Sequence, residues 1–183
     1  MKKLLAAMLA LSLILGIASA LAGTVTFTTK YFTMELPEGW EIDTESLESV
    51  PENNAEALGM FGAPEDVGLV AGAYLVYYED LKNLALWSSD ADELQAYAEA
   101  VMEDFADDKP VYLGTFSAGS IPFVLIRGTD EDGEYLYADT ITNGYAIEFM
   151  VYVTDSEGEK YYPLTDDCIE QFKTILSTFK PVA

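Results

Sequence analysis

Apolar and polar residues alternate over several short runs of the chain, a pattern typical of β-strands. Four such runs cover residues 111–116, 121–128, 134–142 and 145–154, and they are separated by Ala118-Gly119, Asp132-Gly133 and Asn143-Gly144. Gly and Asn favour tight turns, and short turns join antiparallel neighbours. The sequence therefore predicts an antiparallel meander over residues 111–154.

Two strand regions precede this meander. Phe32, Met34 and Leu36 alternate with polar residues before Pro37, which predicts one or two strands over residues 24–36. Residues 68–78 are rich in Val and Tyr and predict another strand. The segment between them, residues 41–67, is acidic and interrupted by Pro and Gly. We interpret it as a long loop with at most a short helical turn.

Two segments repeat apolar residues at helical spacing. The first begins at Asp90, with Glu93 three residues later as in a capping box, and its apolar stripe comprises Leu94, Tyr97, Ala98, Val101 and Phe105. The second follows Thr165 as N-cap, and its stripe comprises Ile169, Phe172, Ile175, Leu176 and Phe179. Strands with separate helices predict an α+β fold, in which helices pack on an antiparallel sheet.

The N-terminus has the order of a secretory signal. Lys2 and Lys3 precede an apolar run over residues 4–17, and Ala18-Ser19-Ala20 and Ala20-Leu21-Ala22 are small-residue cleavage sites. We expect residues 1–22 to be a cleaved signal peptide and residues 23–183 to form a single domain that is secreted or extracytoplasmic. An uncleaved anchor is the alternative, because residues 4–22 nearly suffice for a span.

Charge and cysteine content narrow the possible functions. The 183 residues contain 32 Asp and Glu, 9 Lys and Arg, and no His, for a formal charge of −23. Such a chain lacks the basic surface that nucleic-acid binding requires, and it lacks the imidazole of serine and cysteine hydrolases. Cys168 is the sole cysteine, so an internal disulfide is excluded and a buried apolar role is expected. We expect a monomer.

The Asn143-Gly144 turn predicts a register for its hairpin. A two-residue turn places Thr142 opposite Tyr145 and therefore Asp139 opposite Glu148. One predicted face is core and comprises Leu136, Ala138, Ile147, Phe149, Val151 and Val153; the other comprises Tyr135, Tyr137, Asp139, Ile141, Glu148, Met150 and Tyr152.

The second of these faces is the candidate site. Arg127, the only Arg, is predicted on it opposite Tyr137, through a loop of Glu131-Asp132-Gly133. Opposed carboxylates are destabilising unless another group offsets their charge. The offset could be Arg127 on a solvated sheet face, or Ca²⁺ bound to Asp139 and Glu148. The two acids could instead serve a retaining glycosidase.

A ligand or partner is expected to contact the same face through Tyr135, Tyr137, Tyr152 and Arg127, because tyrosines are suited to protein and glycan interfaces. We expect no cofactor other than this candidate Ca²⁺.

The string Phe32-x-Met34-x-Leu36-Pro37-x-Gly39-Trp40, followed by the order helix, meander and C-terminal helix, resembles the PsbP-like family. The resemblance implies a sheet-and-helix sandwich that binds a partner and has no catalytic residues. The sequence thus predicts an exported binding or accessory protein of the cell envelope, with an envelope protein or glycan as partner. A carboxylate-dependent hydrolase and a Ca²⁺-binding envelope protein are the alternatives.

Overall fold

The structure is a computed structural model that describes residues 23–45, 47–49 and 54–182. The predicted signal peptide, residues 1–22, lies outside the described residues. The strands are β1 (Thr24–Thr28), β2 (Phe32–Pro37), β3 (Glu41–Asp43), β4 (Ala55–Gly62), β5 (Val67–Tyr77), β6 (Val111–Ala118), β7 (Ile121–Thr129), β8 (Glu134–Thr142), β9 (Tyr145–Asp155), β10 (Tyr161–Tyr162) and β11 (Lys180–Pro181). The α-helices are α1 (Ala91–Asp104) and α2 (Asp166–Leu176), and short 3-10 turns cover Glu79–Leu81, Leu86–Ser88 and Ala106–Asp108.

The strands form two antiparallel sheets. The larger has the order β3-β4-β5-β9-β8-β7-β6, with β10 beside β9, and the smaller has the order β1-β2-β11. The described chain is therefore predominantly antiparallel β, and the predicted α+β sandwich of helices packed on a sheet is wrong. One reason is that a second sheet, together with α2, covers one face of the larger sheet.

The other reason is that the acidic segment 41–67, interpreted as a long loop, contributes β3 and β4. Its small residues have weak strand preference, and the pairing of β4 with β3 and β5 decides its conformation. A bulge between Ala57 and Gly59 interrupts the register with β5. Gly59 has φ 126°, and an added Cβ would lie 3.1 Å from the Asp43 carbonyl oxygen and 3.2 Å from the Phe27 ring. The local strand propensity of these residues therefore does not predict β4.

The predicted meander is confirmed by β6 to β9, which pair consecutively and antiparallel. The hairpin register is confirmed as well, with Thr142 opposite Tyr145 and Asp139 opposite Glu148. Asn143 and Gly144 have φ values of 52° and 81°, which is the conformation that a two-residue turn of this kind requires.

Both α-helices begin where the sequence predicts. Asp90 and Glu93 form a capping box at α1, and the Thr165 side chain accepts a hydrogen bond from the Cys168 backbone N–H at α2. The described helices include none that is long and apolar enough to cross a membrane.

Buried apolar side chains lie on both faces of the larger sheet. The first cluster lies between this sheet, the smaller sheet and α2, and Phe149 is at its centre. Around Phe149 are the rings of Phe32, Phe61, Phe123 and Phe172. The second cluster lies under α1, which packs against β6 and β7 through Tyr97, Ala98 and Val101.

Candidate binding groove and its buried acid pair

The second face of the larger sheet is open where α1 does not cover it. A groove of about 1290 Å³ lies there, over β4, β5 and β9. Its lining from β5 and β9 includes Gly72, Tyr74, Val76, Met150 and Tyr152, and it is bordered by residues 41–45, 62–65 and 155–158, by Phe105 after α1 and by Tyr161. The fold therefore holds a concave surface that is large enough for several residues of an extended ligand.

The lining of this groove is strongly acidic. Seven of the described lining residues carry carboxyl groups, and none is Lys or Arg; the acids are Glu41, Asp43, Glu45, Glu65, Glu148, Asp155 and Glu157. The described ion pairs of the chain lie at Lys30, Lys82, Arg127 and Lys173, all outside this lining. The groove thus combines an aromatic and apolar floor with negative charge.

Glu148 and Asp139 form an acid pair at the end of the groove nearest α1. The two residues are cross-strand partners on β9 and β8, and on the other side of Glu148 lies Tyr74 of β5. Asp139 is 0% exposed, whereas Glu148 is partly exposed and lines the groove. The Asp139 Oδ1 atom is buried and accepts no hydrogen bond from any described residue. Only Glu148 of the pair can therefore be reached from the groove.

Tyrosine hydroxyls surround the acid pair. The Tyr97 hydroxyl, from α1, donates to Asp139 Oδ2, and the Tyr78 hydroxyl donates to Glu148 Oε1 at 2.8 Å. The Tyr137 hydroxyl favours the charged form of Glu148. Burial, together with the neighbouring carboxylates, raises the pKa of Tyr78 and of Tyr97 well above the ordinary tyrosine value, so these hydroxyls remain protonated donors.

The surroundings of the acid pair favour a proton on one of its two carboxyl groups. Burial raises the pKa of Asp139 well above its usual range, and the negative charge of Glu148 raises it further. Burial also raises the pKa of Glu148, and the Tyr78 and Tyr137 hydroxyls act in the opposite direction, as the Tyr97 hydroxyl does at Asp139. Of the two carboxyl groups, Asp139 therefore retains a proton more readily and Glu148 carries the negative charge more readily, because the more deeply buried carboxyl is the harder one to ionise.

Arg127 does not belong to this cluster, and its predicted position opposite Tyr137 is wrong. It lies opposite Leu136, because the loop between β7 and β8 spans residues 130–133 and Thr129 pairs with Glu134. The Asp130 side chain accepts hydrogen bonds from the backbone N–H groups of Asp132 and Gly133, which closes the loop one residue earlier than predicted. A shift of one residue turns a side chain to the opposite face of a sheet.

On that opposite face Arg127 has a structural role. Its Nη2 lies 2.7 Å from Glu134 Oε2 and 2.9 Å from the Leu164 carbonyl oxygen. Glu134 Oε2 also accepts a hydrogen bond from the Leu164 backbone N–H. Arg127 thus ties β7 and β8 to the start of α2, and the interpretation of a solvated face on which it bridges Asp139 and Glu148 is wrong.

The predicted ligand-contacting tyrosines divide between two environments. Tyr137 and Tyr152 line the groove. Tyr135 is fully buried beside them, and its hydroxyl donates to Asp108 at 2.8 Å. Calcium at Asp139 and Glu148 stays a prediction; the described residues contain no group of three or more Asp, Glu, Cys or His side chains that could hold a metal ion.

Several groups at the site were not predicted from the sequence. Tyr74 lies on β5 and Tyr78 directly follows that strand. Tyr97 lies on α1 and Phe105 directly follows that helix. The sequence predicts Tyr97 and Phe105 on the apolar stripe of a helix; Tyr97 lies in α1, and Phe105 directly follows it as the C-cap residue. No local pattern indicates which part of the sheet that stripe covers. The crossing of α1 over β6 and β7 alone brings these rings to the acid pair.

No protein-family model matches the chain, and no curated protein matches its sequence significantly. The resemblance to the PsbP-like family therefore stays a prediction, neither supported nor refuted by these comparisons.

Proposed function

We propose that this protein is an exported, non-catalytic binding module of the cell envelope, and that its groove holds an extended polypeptide segment carrying Lys or Arg side chains. The single observation that carries this proposal is the composition of the groove, which has seven carboxyl groups, no cationic side chain and an aromatic floor among its described residues.

The charge of the groove supports a cationic ligand. Carboxylates on both sides of a concave surface concentrate cations and steer them towards it. The acids at the border come from residues 41–45, Glu65 and residues 155–157, so negative charge extends along the groove. A ligand with several positive charges in an extended arrangement is complementary to this distribution.

The floor of the groove supports a polypeptide ligand. Tyr74, Met150 and Tyr152 present apolar and aromatic surface next to the acids, and Gly72 leaves space between them. Lys and Arg side chains have an apolar stem and a charged end, and they pack well on such a surface. Met adapts its shape to different side chains, as is common at peptide-binding surfaces.

The acid pair favours binding over hydrolysis. A retaining glycosidase needs two carboxyl groups that both contact the substrate. Asp139 is fully buried beneath α1 and does not line the groove. A carboxylate-dependent hydrolase is therefore the weaker alternative for this site.

The test is a binding titration that separates the effect of the groove carboxylates on affinity from the effect of the total charge of the chain. A fluorescent oligolysine peptide would be titrated by fluorescence anisotropy against the mature chain and against a triple variant, Glu41→Gln, Glu65→Gln and Glu157→Gln. The matched control has Glu99→Gln, Glu103→Gln and Glu131→Gln, which remove the same charge at exposed sites outside the groove. We expect the groove variant to lose about tenfold or more in affinity at physiological salt, and the control to lose much less.

Equal losses in the two triple variants would show non-specific attraction to an acidic protein and would contradict the proposal. Tighter binding of a neutral oligosaccharide than of oligolysine would also contradict it, and would favour an envelope glycan as the ligand. Export is tested separately: mass spectrometry of secreted protein should find an N-terminus at Leu21 or Gly23, and an intact Met1 would refute signal cleavage.

A further inference from the structure

We propose that Glu148 anchors a single primary ammonium group of the bound segment, so that one position of the groove selects Lys over Arg and over apolar residues. This inference rests on the proposed function, and it names the specificity-determining residue of the same groove. The acids at the border attract any cation, whereas the surroundings of Glu148 discriminate between cations.

The first argument is the position of Glu148. Among the described acids of the lining, Glu148 alone lies in the middle of an interior strand of the larger sheet, with Asp139 on one side and Tyr74 on the other, whereas Asp155 is the last residue of the same strand. A charge at a partly buried position interacts more strongly with a ligand than a charge on the exposed border, because water screens it less.

The second argument is the aromatic surroundings of Glu148. Tyr74 is its cross-strand neighbour, and Tyr137, opposite the adjoining Met150, lines the groove with it. The Tyr137 ring centroid lies 5.1 Å from that of Phe105, which also lines the groove. Aromatic faces attract a cation through their quadrupole. An ammonium beside Glu148 would therefore find a carboxylate and aromatic rings together.

The third argument concerns which cation fits. A guanidinium binds a carboxylate best when two parallel N–H groups reach both oxygens. At Glu148 the Tyr78 hydroxyl already donates to Oε1 at 2.8 Å. The acceptor positions that a bidentate Arg needs are thus partly occupied, whereas an ammonium needs only one.

Asp139 has a positioning role behind this anchor. Among the described residues, the titratable groups that face the pair are Tyr74 and Tyr78 from the β5 side, Tyr97 and Asp104 from α1, and Tyr137 from β8. None of them is cationic, so the pair has no internal counter-charge among them. A ligand ammonium would supply that charge, and ionisation of Asp139 at higher pH would strengthen its binding.

The experiment uses a neutral peptide with one Lys and two derivatives in which Arg or norleucine replaces it. Norleucine keeps the apolar stem and lacks the charge. We expect the mature chain to prefer the Lys peptide over both derivatives, by about tenfold over norleucine, as one charge-assisted hydrogen bond implies. Glu148→Gln should abolish that preference, while its thermal unfolding shows that it remains folded.

Asp139→Asn gives the second readout. For the unmodified chain, affinity for the Lys peptide should rise with pH as Asp139 ionises, at pH values below the lysine pKa of about 10.4. Asp139→Asn should keep the preference for Lys and remove this rise, since Asn cannot ionise. A preference that survives Glu148→Gln, or a pH rise that survives Asp139→Asn, would overturn the inference.

The two proposals fail in distinguishable ways. If the border variant loses oligolysine binding but Glu148→Gln does not change the preference for Lys, the groove binds cations and the anchor is refuted. If the border variant binds oligolysine as tightly as its control does, the proposed function itself is refuted.

Discussion

Asp139 and Glu148 show how hydroxyl groups can replace a counter-ion around buried carboxyl groups. Carboxyl groups on facing strands repel when both are ionised. In this structure the described neighbours supply hydroxyl donors from Tyr78 and Tyr97, and no cation. Because hydroxyl donors offset only part of the cost of a second buried charge, a proton on Asp139 is the remaining way to stabilise the pair.

This arrangement predicts the pH dependence of stability. An acid whose folded pKa is raised binds its proton more tightly in the folded state, so its contribution to stability is present at low pH and is lost as pH rises. The loss begins near the unfolded carboxyl pKa of about 3.9 and continues through the folded pKa, by at most about 1.4 kcal/mol per pH unit for one proton. Asp139→Asn should remove this part of the decline and raise the unfolding free energy at neutral pH.

Urea unfolding at a series of pH values measures this effect. The control is Glu103→Gln, which removes one exposed acid and therefore reports the general repulsion within an acidic chain. If the two variants have the same pH profile, Asp139 is not the group that holds the proton.

At the scale of elements, both faces of β8 are covered, and this changes what the alternation of apolar and polar residues indicates. In β8, Leu136 and Ala138 face the cluster around Phe149, while Tyr137 and Asp139 face the side of α1. The alternation in the sequence correctly separates the two faces. It cannot show that the more polar face is also buried, because that depends on a helix from elsewhere in the chain.

The hairpin register predicts that replacing Phe149 by Ala and replacing its neighbour Met150 by Ala have different effects on stability. Phe149 is fully buried among four rings, so Phe149→Ala should lower the unfolding free energy by about 3 to 5 kcal/mol. Met150 lies on the other face and lines the groove, where a truncated side chain leaves space that water can fill. Met150→Ala should therefore cost less than half as much. Equal costs in chemical denaturation would contradict the register.

At the scale of the whole molecule, the acidic residues affect both the total charge of the chain and the local charge of the groove. The formal charge of −23 keeps the chain soluble through self-repulsion, and cations of any kind relieve part of that repulsion. Among the described residues seven acids line one groove, so the negative charge of the chain has a local concentration there. The response to salts must therefore be separated from the response to a specific ligand.

A comparison of Ca²⁺ with Na⁺ separates the general response to salt from binding at a specific site. Tyrosine donors occupy the acid pair and Asp139 is covered, so we expect Ca²⁺ to raise the melting temperature no more than Na⁺ does at matched ionic strength. Differential scanning calorimetry of the mature chain measures both. An additional rise with Ca²⁺ that disappears in Asp139→Asn would instead establish a metal site at Asp139 and Glu148.

The sequence by itself determined the features that depend on neighbouring residues. Hairpin turns, strand alternation and helix caps act over a few residues, so the meander, its register around Asn143-Gly144 and the starts of both α-helices could be predicted. The opposition of Asp139 and Glu148 follows from the same local rule, and it was the most specific correct prediction about the site.

Only the tertiary structure decided what surrounds that pair. The strand β4 depends on pairing with β5, the side of the sheet on which Arg127 lies depends on one residue in a loop, and the groove depends on where α1 stops covering the sheet. The strand β4 and the groove are settled by contacts between segments distant in the chain, which override local preferences. The side of Arg127 is settled by hydrogen bonds to Asp130 within its loop, which shift the register by one residue. The acids and Tyr137 on their face were therefore predictable from the sequence, whereas Tyr74, Tyr78, Tyr97 and the groove were not.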